Sequence, residues 1–172
     1  MVLWITGFPG SGKSTLAEEI KKAFPEFIVL RMDELRKVVT PEPTYSEEER
    51  DIVYRALVFT AKVLSETGCD VLMDATGNLR KWRDLARGLL HGFAEVYLRC
   101  PIEVCIERES KRVEGRGAPP GVYKKGRAGW PVPGLSAPYE EPLNPEVSID
   151  TSSSTPEEGL KAVAGLIRRL RG

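Results

Sequence analysis

Along the chain, short apolar runs of strand length alternate with segments whose apolar residues recur every three or four positions. The first pattern suits strands and the second puts one apolar face on a helix. Residues 2–5 are wholly apolar and predict a first strand. After a glycine-rich stretch, Leu16, Ile20, Ala23 and Phe24 share a helical face opposite Glu18, Glu19, Lys21 and Lys22, and Pro25 ends the helix. A second strand is predicted over 27–32 with Asp33 at its end, then a brief helix over 34–39 broken by Pro41 and Pro43. Ser46 and Glu49 have the spacing of a capping box. They open a long helix whose apolar positions include Ile52, Ala56, Phe59, Val63 and Leu64, closed by Gly68. Residues 71–73 form a strand tipped by Asp74, and Leu79, Trp82, Leu85, Ala86 and Leu89 face the core from the next helix. A strand over 93–98 leads to Pro101, which suits the first turn of a helix carrying Val104 and Cys105. A last strand over 146–150 precedes a helix capped at Thr155-Pro156-Glu157-Glu158, with Leu160, Val163, Leu166, Ile167 and Leu170 inward. Five strands alternating with helices predict an α/β fold, a parallel sheet covered on both faces, with ligands at the carboxyl ends of its strands.

One stretch breaks this rhythm. Residues 110–145 are rich in glycine and proline, poor in aliphatic side chains, and carry Arg112, Arg116, Lys124, Lys125 and Arg127. A segment this long in a compact domain reads as a lid. The 172 residues suit a single domain spanning 1–172. Acidic and basic side chains number 25 each, which argues against coating nucleic acid as the main activity while leaving room for a local basic groove. No stretch resembles a signal peptide or a membrane span, so a cytoplasmic protein without a membrane partner is expected. Cys69, Cys100 and Cys105 are odd in number and lack metal-site spacing, which favours buried reduced thiols. His91 reads as a loop residue and Trp82 as core.

Between the first strand and first helix lies Gly7-Phe8-Pro9-Gly10-Ser11-Gly12-Lys13-Ser14. Glycines let backbone N–H groups turn inward, and the helix N-terminus adds partial positive charge, so this is a phosphate-binding loop. Gly7, Gly10, Ser11, Gly12, Lys13, Ser14 and Thr15 are therefore the expected ATP-phosphate contacts, with Lys13 on the outer phosphates and the Ser14 hydroxyl on Mg²⁺. Asp33 and Asp74 stand at the same sheet edge. Asp33 is the candidate for orienting and deprotonating an acceptor hydroxyl and for contacting metal, Arg36 one turn on for holding an anionic substrate, and Asp74 for a water-mediated metal contact. Basic residues of the lid would close over the phosphates and exclude water.

The segments Gly121-Val122-Tyr123-Lys124-Lys125-Gly126, Gly134-Leu135-Ser136-Ala137-Pro138-Tyr139-Glu140-Glu141-Pro142, Asn144-Pro145-Glu146-Val147 and Ile149-Asp150-Thr151 closely resemble the lid and last strand of adenylylsulfate (APS) kinases. With the phosphate loop and Tyr45-Ser46 to Arg50, the similarity touches most of the chain. It implies a three-layer P-loop kinase fold and ATP-dependent phosphorylation of the ribose 3′-hydroxyl of adenosine 5′-phosphosulfate, with Mg²⁺ and a homodimeric assembly. By position, Asp33 resembles the family's catalytic aspartate, Arg36 and Arg50 its substrate-anion contacts, and Tyr45 the aromatic that stacks on the substrate adenine. Arg108 resembles the arginine flanking the ATP adenine, and Lys124 and Lys125 the lid lysines.

This chain also departs from the family pattern. Met32 and Glu34 flank Asp33 where Gly and Asn are usual, and Val53 stands where a helix asparagine is usual. Gly77-Asn78-Leu79 replaces Ser-Pro-Tyr, and Val132 stands where a lid phenylalanine is expected. Trp130 is then the candidate for the missing half of an adenine sandwich. The front half, Phe8-Pro9-Gly10, residues 31–36 and Asp74-Ala75-Thr76 with Arg80 and Arg83, is also similar to polynucleotide 5′-kinases, which leaves another acceptor hydroxyl open. A non-catalytic nucleotide-binding regulator is the third reading, disfavoured by the presence of Asp33, Arg36, Asp74 and a basic lid.

Overall fold

The computed structural model describes residues 1–111 and 120–172. Five strands form one sheet, and every pairing between them is parallel: β1 (Val2–Gly7), β2 (Ile28–Arg31), β3 (Val71–Asp74), β4 (Phe93–Arg99) and β5 (Val147–Asp150), in the order β2-β3-β1-β4-β5. Alternation along β1 explains why it is buried throughout. Val2 and Trp4 enter one core and Leu3 and Ile5 the other, so both faces of the strand must be apolar. The first core lies under α2 (Met32–Val39), α3 (Glu47–Glu66) and α4 (Arg80–Leu89); the second lies under α1 (Lys13–Ala23) and α7 (Pro156–Arg171). Helices α5 (Ile102–Ser110) and α6 (Val122–Arg127) follow β4 and share a smaller cluster around Cys105, Tyr123 and Val132. The expected α/β architecture is thus present. No described helix is long and apolar enough to cross a membrane.

The inward face of α3 is not the expected one. Ile52, Phe59 and Val63 are 59%, 65% and 43% exposed, while Val53, Tyr54, Leu57, Val58 and Ala61 are buried. Both stripes obey helical spacing, so periodicity could not choose between them. Aromatic packing decides. Tyr54 stacks between Trp82, at 4.1 Å and 17°, and Trp4, at 6.0 Å and 20°. The polar tips of all three rings find partners: Tyr54 Oη accepts from Gly77 N at 2.8 Å, Trp82 Nε1 donates to Asp51 at 2.9 Å, and Trp4 Nε1 donates to the Ala75 carbonyl at 2.9 Å. Such pairs contribute about 0.5–1.5 kcal/mol each beyond burial.

Smaller differences have similar causes. Ala23, Leu89 and Leu170 face solvent, and Ala17 and Leu90 take buried positions instead. The inward face of α4 also carries Arg83, 1% exposed, whose Nη1 lies 3.2 Å from Glu95 on β4. Strand β2 is shorter than expected, because Met32 already belongs to α2, so Asp33 sits in that helix's first turn. At Thr155 the capping box is complete, whereas Ser46 forms only half of one. Its Oγ accepts from Glu49 N at 3.2 Å, but the Glu49 carboxylate turns elsewhere.

Glu146, just before β5, accepts from both terminal nitrogens of Arg87 at 2.6 and 3.0 Å and from Glu95 N at 2.6 Å. Burial pushes its carboxyl up, but the Arg87 pairing and the amide outweigh this and hold it below the usual range. A depressed folded-state pKa contributes stability above the unfolded value, about 4.3, that is lost as pH falls through the folded value. Glu146→Gln should therefore lower the melting temperature at pH 7, and in calorimetric scans the difference from the parent chain should vanish as pH falls through the folded-state value.

Candidate active site

The loop between β1 and α1 is built for anions by its backbone. Gly12 caps α1 in a left-handed conformation at φ 97°, makes no side-chain cap, and is followed by no acidic residue in the first turn. The partial positive charge of the helix N-terminus is therefore not offset by an acidic side chain of its own first turn. Gly10 must be glycine: φ is 81°, and a Cβ would stand 2.5 Å from the Cys105 carbonyl oxygen. Lys13 Nζ donates to the carbonyls of Gly7, at 3.1 Å, and Phe8, at 2.8 Å, which places its ammonium over the loop.

This loop forms one end of a cavity of about 740 Å³. Gly10, Ser11, Gly12, Lys13, Ser14 and Thr15 line it, with Asp33 and Arg36 from α2, Asp74 from the tip of β3 and Arg108 from α5. Tyr45, Arg50, Lys125 and Trp130 line it too. Of the residues expected at the site, Gly7, buried at the end of β1, and Lys124, exposed on α6, do not line the cavity. Arg112 and Arg116 fall outside the described residues. The parallel register explains the convergence. Each contributing segment follows the carboxyl end of a strand, and Asp74 is the partner of both Ile5 and Arg31. Arg31 Nη1 lies 3.4 Å from Asp74 while Nη2 of the same guanidinium pairs with Glu18, so the Asp74 carboxylate is anchored on its own side of the sheet.

At the other end of the cavity, the Tyr45 and Trp130 rings lie 5.2 Å apart at 45°. The Arg36 guanidinium sits 4.7 Å over the Tyr45 ring and Lys125 Nζ 5.1 Å over Trp130. An intervening base needs about 3.5–4 Å on each side, so the pair would open by a few ångströms to accept one. Val132 belongs to the Cys105 and Tyr123 cluster and is 4% exposed. Arg50 ties this end together: Nε donates to the Tyr45 carbonyl at 3.1 Å, Nη1 to Asn78 at 3.4 Å and Nη2 to the Pro131 carbonyl. Tyr45 itself has φ 57°, a left-handed conformation that costs a residue with a side chain about 1–2 kcal/mol. Burial pushes its hydroxyl pKa up.

Sequence reasoning missed the joints between lid and phosphate loop. Tyr123 donates to the Pro9 carbonyl at 2.7 Å. The Tyr139 ring lies 4.8 Å from Phe8, and its hydroxyl is 2.9 Å from Thr6 Oγ1. Because Thr6 Oγ1 gives its proton to the Thr76 carbonyl at 2.6 Å, Tyr139 is the donor in that contact. Burial raises the pKa of both tyrosines, so both remain donors at neutral pH. Cys105 is likewise pushed up to about 12 by burial, with Cys100 beside it, and stays a thiol. All three cysteines are free.

A phosphate loop opening the first helix, two aspartates at neighbouring strand ends and a basic lid fastened to the loop define a P-loop kinase. Residues 1–150 match the family described as adenylylsulphate kinase, and the chain belongs to that family of phosphotransferases. A probable adenylyl-sulfate kinase of Halalkalibacterium halodurans is 39% identical over 171 residues, covering 94% of this chain and 80% of that protein. One from Archaeoglobus fulgidus is 37% identical over 159 residues, covering 89% and 97%. The solved Mycobacterium tuberculosis APS kinase, in complex with AMPPNP and APS, superposes with a TM-score of 0.83 at 30% identity, covering 97% of this chain and 96% of that one. A sugar kinase from Janibacter, at 20% identity and a TM-score of 0.72, shares the fold, so fold by itself does not choose the acceptor.

Gly134 tests the joint between lid and loop. Its φ is 84°, and a Cβ would stand 2.4 Å from the Phe8 ring. Gly134→Ala should cost about 1–2 kcal/mol of stability and weaken ATP binding by displacing Phe8 in the loop, as thermal unfolding and titration calorimetry with ATP will show.

Proposed function

We propose that the chain transfers the γ-phosphoryl group of ATP to the 3′-hydroxyl of adenosine 5′-phosphosulfate, giving 3′-phosphoadenosine 5′-phosphosulfate and ADP. The observation that supports this reading most is the single cavity that joins an anion-binding loop to an aromatic pair flanked by arginine, with Asp33 on its wall. In this reading the loop amides, Lys13 and Ser14 hold the phosphates of ATP, and Arg108 borders its adenine. Tyr45 and Trp130 open to take the adenine of APS between them, and Arg36 faces its anionic groups. Arg50, whose donors hold Tyr45, Asn78 and Pro131, shapes the same wall.

Asp33 accepts the proton of the 3′-hydroxyl as that oxygen bonds to the γ-phosphorus and the bond to the β-bridging oxygen breaks, so the electron pair leaves with ADP. Lys125 and Lys13 offset charge on the phosphates, and the lid excludes water that would compete as acceptor. Among the described residues, no group of three His, Cys, Asp or Glu could hold a metal unaided. The oxygen donors available, Ser14, Asp33 and Asp74, fit Mg²⁺, which takes few protein ligands and shares substrate phosphates. When bound there, Mg²⁺ would supply positive charge to the bridging phosphates.

Labelled ATP and Mg²⁺ with APS, with a 5′-hydroxyl oligonucleotide, and with no acceptor separate the possible activities. Label on APS alone is expected, and label on the oligonucleotide would defeat the assignment. Asp33→Asn should lower turnover by about 10²–10⁴-fold while ATP still binds.

Stacking on a base contributes about 1–3 kcal/mol, so Trp130→Ala should raise the KM for APS by roughly five- to hundredfold. An unchanged KM removes Trp130 from the acceptor site.

A further inference from the structure

By sequence, Glu49 is half of a helix cap; in the structure its carboxylate holds the loop outside the helix. We propose that Glu49 is a positioning residue for the acceptor, fixing Tyr45 and Arg36 relative to one another. The inference rests on the acceptor site proposed above.

Among the described residues, Tyr45 is the one non-glycine with positive φ, 57°. Nothing in its own side chain favours that conformation, so its surroundings must impose it. Glu49 Oε2 accepts from Thr44 Oγ1 at 2.7 Å, from Tyr45 N at 3.2 Å and from Thr44 N. These are the donors on and just before the left-handed residue. The next side chain on α3, Arg50, takes the Tyr45 carbonyl, so the amide and the carbonyl of Tyr45 are both held from the first turn of one helix.

The other carboxylate oxygen, Oε1, accepts from Arg36 Nη1, and the same guanidinium lies over the Tyr45 ring. The side chains of Arg36 and Glu49 are 9% and 11% exposed, which makes this a largely desolvated pair rather than a surface contact. Burial pushes the Glu49 carboxyl up, but the bonds from Thr44 and the Arg36 charge outweigh it and keep it ionised at neutral pH. The helix N-terminus favours negative charge at this position as well. One carboxylate is thus bonded through both oxygens to two walls of the acceptor end.

Glutamine separates this role from simple space-filling. It keeps the size of Glu49 but has one acceptor oxygen, so its NH₂ must face either the Arg36 guanidinium or the Thr44 and Tyr45 donors. Glu49→Gln should raise the KM for APS by about tenfold or more and leave the KM for ATP within about twofold, with turnover at saturating APS falling by less than KM rises. Glu49→Asp, which keeps two acceptor oxygens, should recover part of the loss. A purely structural role would instead raise both KM values together with a lowered melting temperature, and that result, or an unchanged KM for APS, overturns the proposal. If the parent chain phosphorylates no APS, the acceptor assignment fails separately. The clamp is then read from the emission of Trp130, taken as the difference from Trp130→Phe in each background. A shift in the Glu49→Gln difference spectrum supports the clamp, and an unshifted one overturns it.

Discussion

The rotation of α3 about its own axis is the constraint on which the site depends, and the stack of Tyr54 between Trp4 and Trp82 sets it. Arg50 is one turn before Tyr54 and points to the same side of the helix, where residues four apart are neighbours. Burying Tyr54 therefore delivers Arg50 to Tyr45, Asn78 and Pro131, and brings Glu49 to Thr44, Tyr45 and Arg36. Had the stripe of Ile52, Phe59 and Val63 turned inward, these side chains would have been carried away from the cavity. Core packing and the geometry of this cavity wall are one choice in this protein.

The described part of the lid is likewise no loose flap. Phe8 of the phosphate loop is wedged between Gly134 and Tyr139, and Tyr123 holds the Pro9 carbonyl. The Glu140 amide donates to the Asn78 carbonyl at 2.7 Å, and Asn78 Nδ2 donates to the Pro138 carbonyl at 2.9 Å. Donor loop, lid and the turn after β3 thus form a continuous set of contacts. Under the proposed activity, this arrangement would register a cover that excludes water on the loop that would hold the phosphates.

Charge placement supports the same geometry from below. Arg83 stands where an apolar side chain would be expected and faces Glu95, with Arg87 and Glu146 alongside. Burial pushes the Glu95 carboxyl up, while the arginines pull the other way. The Arg83 guanidinium reaches the Glu140 carbonyl and lies 5.8 Å from the Tyr139 ring, linking this buried network to the lid stem. Removing one member would strand a buried charge, a larger cost than the pair's net contribution.

The sequence by itself determined the order of the strands and of every helix but α6, the parallel sheet, the phosphate loop and the sheet edge that carries Asp33 and Asp74. These follow from local period, capping and glycine spacing, and from the rule that parallel strands put their carboxyl ends together. The family resemblance was legible in the segments from Tyr123 to Thr151. Only the tertiary structure decided which face of α3 is buried, that Trp130 rather than Val132 meets Tyr45, and that Glu49 leaves its cap to hold Tyr45. Two stripes of equal period on one helix are degenerate until a neighbour such as Trp82 packs against one of them. A carboxylate near several donors is degenerate in the same way until the loop in front of it takes its shape.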